Sequence, residues 1–155
     1  MSAHEADRSR LVVPPLYFLV ALLLMVFFHQ VAPGAYLIVA PYRYAGIVLM
    51  ALSIGLALWA AVLFRRAGTN IKPYLPSTAL VTSGPYRFSR NPMYLGLAGT
   101  LLGAAVLLGS ISPFIIIPAF MALIQERFIV AEEEKMEAAF GRDYLEYKER
   151  VRRWL

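Results

Sequence analysis

The chain contains no cysteine, so neither a disulfide framework nor a thiolate metal site can be built from it. Its two histidines, His4 and His29, are far apart and lack carboxylates at ligand spacing, which argues against a catalytic metal. Acidic residues are missing throughout the middle: none occurs between Asp7 and Glu126. A net charge of +5 could suggest nucleic acid, but the bases are few and flank apolar runs. That placement suits phospholipid headgroups as partners and excludes a nucleic-acid surface. The N-terminus also lacks the pattern of a cleaved signal. Glu5 and Asp7 stand where a positive region belongs, and the apolar run from Leu11 is too long, so it reads as a retained helix.

What is present is apolar. Of the 155 residues, 59% are hydrophobic, above the roughly half usual in soluble domains. Four stretches predict an all-α integral membrane protein, one domain over 1–155, with transmembrane helices near 11–31, 44–64, 93–109 and 111–129. The first two are long enough for a hydrocarbon core of about 30 Å at about 1.5 Å per residue. Pro14 and Pro15 fall in a first helical turn, where the missing N–H has no partner to lose. The last two stretches are joined so tightly around Ser110 that they form an antiparallel hairpin. Pro118 predicts a kink in the fourth.

Of the 15 lysines and arginines, only Arg43 falls in an outside loop when the N-terminus is inside. The positive-inside rule therefore places both termini, the loop 65–92 and the tail 130–155 in the cytosol. Gly99 and Gly103 form a G-x-x-x-G that admits close helix approach, either within the chain or across a homodimer. Gly141 predicts a left-handed cap that ends the fourth helix after it emerges from the membrane. A short amphipathic helix follows, with Tyr144, Tyr147, Val151 and Trp154 on one face, suited to lie on anionic lipid or close over a cytosolic site.

Three polar groups of residues converge at the cytosolic end. They are the loop "LPSTALVTSGPYRFSRNPMY", the residues Glu126, Arg127 and Glu132–Glu134, and the Tyr144/Tyr147 helix. The loop leads into one arm of the hairpin and the acids leave the other, so the two lie side by side.

"LVTSGPYRFSRNPMYLG" followed by "EEEKMEAAFGRDYLEYKERVRR" resembles the isoprenylcysteine carboxyl methyltransferase and phospholipid methyltransferase superfamily, over about residues 80–153. The resemblance implies an integral membrane enzyme of the prokaryotic cytoplasmic membrane that uses S-adenosylmethionine to methylate a lipophilic or lipid-modified substrate. It implies a cofactor-binding loop at Thr78, Ala79, Leu80, Val81 and the ring of Tyr86, with Arg87 beside it. The family's Arg-His-Pro-x-Tyr element stands here as Arg90-Asn91-Pro92-Met93-Tyr94, which implies cofactor contacts at 91–94 and catalytic roles for Arg90, Asn91 and Tyr94. Asn91 replaces a histidine and cannot titrate near neutral pH. Glu132 and Glu133 match the family's cofactor-binding glutamates. The substrate-binding arginine of isoprenylcysteine enzymes corresponds to Phe128, with Arg127 adjacent. Two other readings fit the residues less well: an NADPH-dependent sterol-type reductase relative, and a non-catalytic membrane protein that retains the fold.

Overall fold

The structure is a computed structural model and describes residues 14–68 and 79–155. Among the described residues its regular elements are all helical, with one isolated antiparallel bridge between Tyr36 and Ser110. Helix α1 spans Pro14–Val31, and α2 spans Ala45–Arg66 after a 3₁₀ turn at Tyr42–Tyr44. A second 3₁₀ turn, Gly84–Arg87, leads to α3 at Pro92–Leu108. Helix α4, Ser112–Ile124, continues through a π-helical turn at Gln125–Ile129 into α5, Val130–Phe140, and α6 covers Arg142–Arg150. Residues 11–13 of the expected first helix lie outside the described residues, as does Thr78 of the expected cofactor loop.

Three of these segments are long and apolar enough to cross a membrane: Pro14–Val31, Tyr42–Arg66 and Ser112–Phe140. Helix α3, with 17 residues, is shorter than those, and it is the central element. Leu23, Leu52 and Ile115 are at least 60% exposed on the outside of the bundle, a surface suited to acyl chains rather than water. The chain is thus an all-helical integral membrane protein.

Helix α3 is central because its residues are small. A Cβ on Gly96 would lie 2.7 Å from Ser53 O, and one on Gly103 would lie 2.7 Å from Gly46 O. The starts and ends of α2 and α3 therefore meet in antiparallel order, backbone against backbone. The G-x-x-x-G face, which by sequence admits a helix of the same chain or of a second copy, packs against the chain's own α2; Gly99 sits against Ser53. On its other side α3 packs Ala98, Leu101 and Ala105 against Ala21 and Met25 of α1 and Phe120 and Ile124 of α4.

The hairpin turn is made by Gly109, whose φ of 81° caps α3. Its carbonyl accepts from Leu37 N–H at 2.8 Å and Ile38 N–H at 3.1 Å, tying the 32–41 loop to this end. His29 Nδ1 meets Ser110 Oγ at 2.7 Å in the same place. All of this lies at the end of the bundle opposite the polar loop.

The chain stays α-helical through Pro118, and a π-helical turn follows at Gln125–Ile129, where Val130 N–H bonds back to Gln125 O. The extra residue of that turn rotates the helix beyond it by about 100° relative to an undisturbed α-helix. The tail helix ends at Arg150, and Val151 is extended with φ −123° and ψ 128°. Trp154 therefore does not share a helical face with Tyr144 and Tyr147. Its indole N–H donates to Gln125 Oε1 at 2.9 Å, on the π turn. Gly141 ends α5 with a positive φ of 51°, but its ψ of −120° is not that of a left-handed cap.

Candidate active site

The site residues gather where the loop before α3 meets α5 and α6. Gly84 starts the loop's turn at φ +59°, and a Cβ there would lie 2.6 Å from Leu63 Cδ1. A side chain is thus disfavoured by conformation, and it would also have to push the Leu63 side chain of α2 aside. Tyr86 is buried behind it. Its ring stacks on Phe64 with centroids 5.6 Å apart, and its carbonyl accepts the Tyr147 hydroxyl at 2.7 Å. Tyr86 thereby joins α2 to α6. Burial pushes its phenol well above the ordinary range, with Tyr147 and Glu132 adding to the shift. Val81 is buried and Met93 half-buried in the same small cluster, Ala79 and Leu80 are half-buried, and Arg87 is exposed.

Pro92 opens α3, preceded by Asn91 at the cap position. Asn91 makes no side-chain cap; its Nδ2 donates to Arg153 O at 3.0 Å. Tyr94, buried in the first turn of α3, donates its hydroxyl to Glu132 Oε1 at 2.6 Å. A bond this short between a phenol and a carboxylate is charge-assisted.

The two adjacent acids face different partners. Glu133 is buried and accepts from Arg90 Nη2 at 3.0 Å, from Arg153 Nε at 3.0 Å and from Arg153 Nη2 at 2.7 Å. Arg90 Nη1 donates to Lys148 O at 3.1 Å. The remaining Arg90 donor, Nε, is buried with no hydrogen-bond partner, in a side chain only 8% exposed. An unmet donor on a buried cation is costly, and an acceptor placed there would relieve it. Glu134, next in the chain, is exposed, as a solvated helix face requires.

Tyr144 and Tyr147 line the underside of α6, both buried. Burial, with Glu133 next, pushes the Tyr144 phenol up to about 12. Burial also raises Tyr147, and Tyr144 adds to it, so Tyr147 remains the donor toward Tyr86. The hydrogen bonding that Arg153 donates to Glu133 is the first cause holding Arg153 above its ordinary value.

Arg127 and Phe128 part company. Arg127 is exposed, while Phe128 is half-buried and meets Tyr17 of α1 edge-on at 5.3 Å. The arrangement thus brings Arg90, Asn91, Tyr94, Glu132 and Glu133 together and leaves Arg87 and Arg127 outside. Sequence reasoning did not single out Arg153, Ser89 or Gln125. Arg153 is one of several bases in a short charged run, and nothing in its neighbours marks it as the one that turns inward.

Among the described residues, this end of the bundle offers a carboxylate bonded to a phenol, a buried guanidinium with a free donor, and a glycine-proline turn on packed aromatics. The profile of the phospholipid methyltransferase family matches residues 42–143, which takes in α2, the loop, the hairpin, the π turn and the acid pair. An uncharacterized protein of Haemophilus influenzae is 38% identical over 63 residues, 41% of this chain and 100% of that protein. No solved structure matches significantly. With more than half of its length matched by that profile, including Arg90, Asn91, Tyr94, Glu132 and Glu133, the chain belongs to the phospholipid methyltransferase family.

Proposed function

We propose that the protein is an S-adenosylmethionine-dependent methyltransferase acting on a lipophilic acceptor, with its site between the Gly84–Tyr94 loop, Glu132 and α6. The observations that carry this reading are the buried Nε of Arg90, which has no hydrogen-bond partner, and the bonded Tyr94–Glu132 pair at the same end of the bundle. The donor set suits an amino-acid-bearing cofactor: the guanidinium offers a partner for a carboxylate, and Glu132 one for an ammonium or ribose hydroxyl. When bound, S-adenosylmethionine supplies an activated methyl group, transferred in line to an acceptor lone pair while the electrons of the broken carbon–sulfur bond stay on sulfur.

The chain's own residues would then orient, shield and accept a proton. Tyr86, Tyr144 and Tyr147 pack a roof that excludes water. Tyr94 fixes the Glu132 carboxylate through its hydroxyl. Glu132 would in turn take the proton that a protic acceptor releases as its new bond to carbon forms. The apolar flanks of α1, α3 and α4 allow an acceptor to approach from the bilayer.

Between an isoprenylcysteine carboxylate and a lipid amine, the exposure of Arg127 and the aromatic pairing of Phe128 with Tyr17 favour the amine. A buried carboxylate acceptor would need a cation that this position does not supply. Calorimetry on the purified full chain tests the cofactor. Saturable binding of S-adenosylmethionine without binding of NADPH is expected. Binding of NADPH alone would favour a reductase, and binding of neither a non-catalytic role.

A further inference from the structure

Glu133 differs from Glu132 in having both oxygens occupied by arginines that arrive from distant parts of the chain. Arg90 comes from the loop before α3, and Arg153 from the extended stretch after α6. That stretch crosses the Ser89–Asn91 turn and takes up its outward donors. Arg90 N–H donates to Arg152 O at 2.9 Å, Asn91 Nδ2 to Arg153 O at 3.0 Å and Ser89 Oγ to Arg153 O at 3.3 Å. Trp154 then fastens the far end to Gln125 on the π turn.

The amide of Asn91 and the carboxylate of Glu133 therefore both hold the C-terminal stretch in place. A carboxylate bound in a fork by one arginine and touched by a second has little capacity left for a ligand.

We infer that Glu133 is a positioning residue, which acts through Arg153 and Arg90 to clasp residues 151–154 over the Ser89–Asn91 turn, leaving Glu132 as the acid that meets the cofactor. The inference rests on the methyltransferase reading for the cofactor, but the clasp itself can be measured without one. Asn91 shares the duty, consistent with an amide serving where a titrating side chain is not used. The clasp also restrains Arg90, so its free Nε stays aimed at one place.

The test uses the full chain in detergent micelles with no cofactor added. Hydrogen exchange at the Arg90 amide reports the clasp, because that N–H bonds to Arg152 O. Glu133→Gln and Arg153→Ala are each expected to speed that exchange about tenfold or more, as loss of a charge-assisted contact predicts. The double variant should be no faster than the worse single one, since the two residues act as one unit. Arg153→Lys should restore part of the protection, and Glu134→Gln should change nothing. Unaltered helicity by circular dichroism identifies the variants that remain folded.

The second readout is kinetic. Both Glu133→Gln and Arg153→Ala should raise the cofactor KM by a similar factor, with a smaller effect on kcat. If exchange at Arg90 stays at the wild-type rate in both variants, the clasp is overturned. It is equally overturned if Glu133→Gln weakens cofactor binding while Arg153→Ala does not, because Glu133 would then touch the cofactor itself. Faster exchange in a protein that binds no S-adenosylmethionine would uphold the clasp and defeat the proposed function instead.

Discussion

The Tyr94 hydroxyl lies 2.6 Å from Glu132 Oε1, linking the first turn of α3 to the helix beyond the π turn. The two residues are 38 positions apart and meet because the α3–α4 hairpin returns the chain to the end from which α3 began. Tyr94→Phe removes that one hydroxyl and keeps the ring. It should lower turnover and cost about 1–3 kcal/mol of stability, since a half-buried carboxylate loses its donor. Steady-state kinetics and a melting curve on the same preparation check both effects.

Glu132→Ala should weaken S-adenosylmethionine binding by about tenfold to a hundredfold or more, the range for a lost charge-assisted contact. Glu134→Ala should be silent, because Glu134 is exposed. Equal affinities in the wild type and Glu132→Ala would remove Glu132 from the site.

Two glycines should behave oppositely. Gly96→Val drives a side chain toward Ser53 O and Ala57, where backbone cannot easily yield, and should destabilise the bundle by roughly 1–3 kcal/mol. Gly55→Ala in α2 meets nothing within 4 Å and should be neutral or stabilising, as alanine is the better helix former. Thermal unfolding in micelles distinguishes the two.

Orientation can be read independently. Reporter fusions at the C-terminus should give cytoplasmic activity, because Arg65, Arg66, Arg87, Arg90 and Arg127 lie toward the site end and the tail adds further bases. A C-terminus on the outer side would put the proposed cofactor site where S-adenosylmethionine is scarce.

Much of this fold was legible because a membrane demands simple signals. Long apolar runs mark helices, Pro92 marks the start of α3, and Gly109 marks its end. The meeting of the loop with the acid pair followed from the hairpin alone. Other features carry no local signal. One residue inserted at Gln125–Ile129 changes the helical register without changing composition. The same G-x-x-x-G serves α2 of this chain or a second copy equally well by sequence. Which arginine of the "RVRRW" run turns toward Glu133 depends on where the stretch after α6 crosses the loop, a tertiary fact.

The central claim is methyl transfer to a lipid-soluble acceptor at the Tyr94–Glu132 site. Incubating the purified protein with methyl-labelled S-adenosylmethionine and a total lipid extract tests it most directly. Label should pass into the organic phase in proportion to enzyme and time, and Glu132→Ala should reduce that rate at least about tenfold. Organic-phase label no greater than that of heat-inactivated protein, or a rate unchanged by Glu132→Ala, would contradict it.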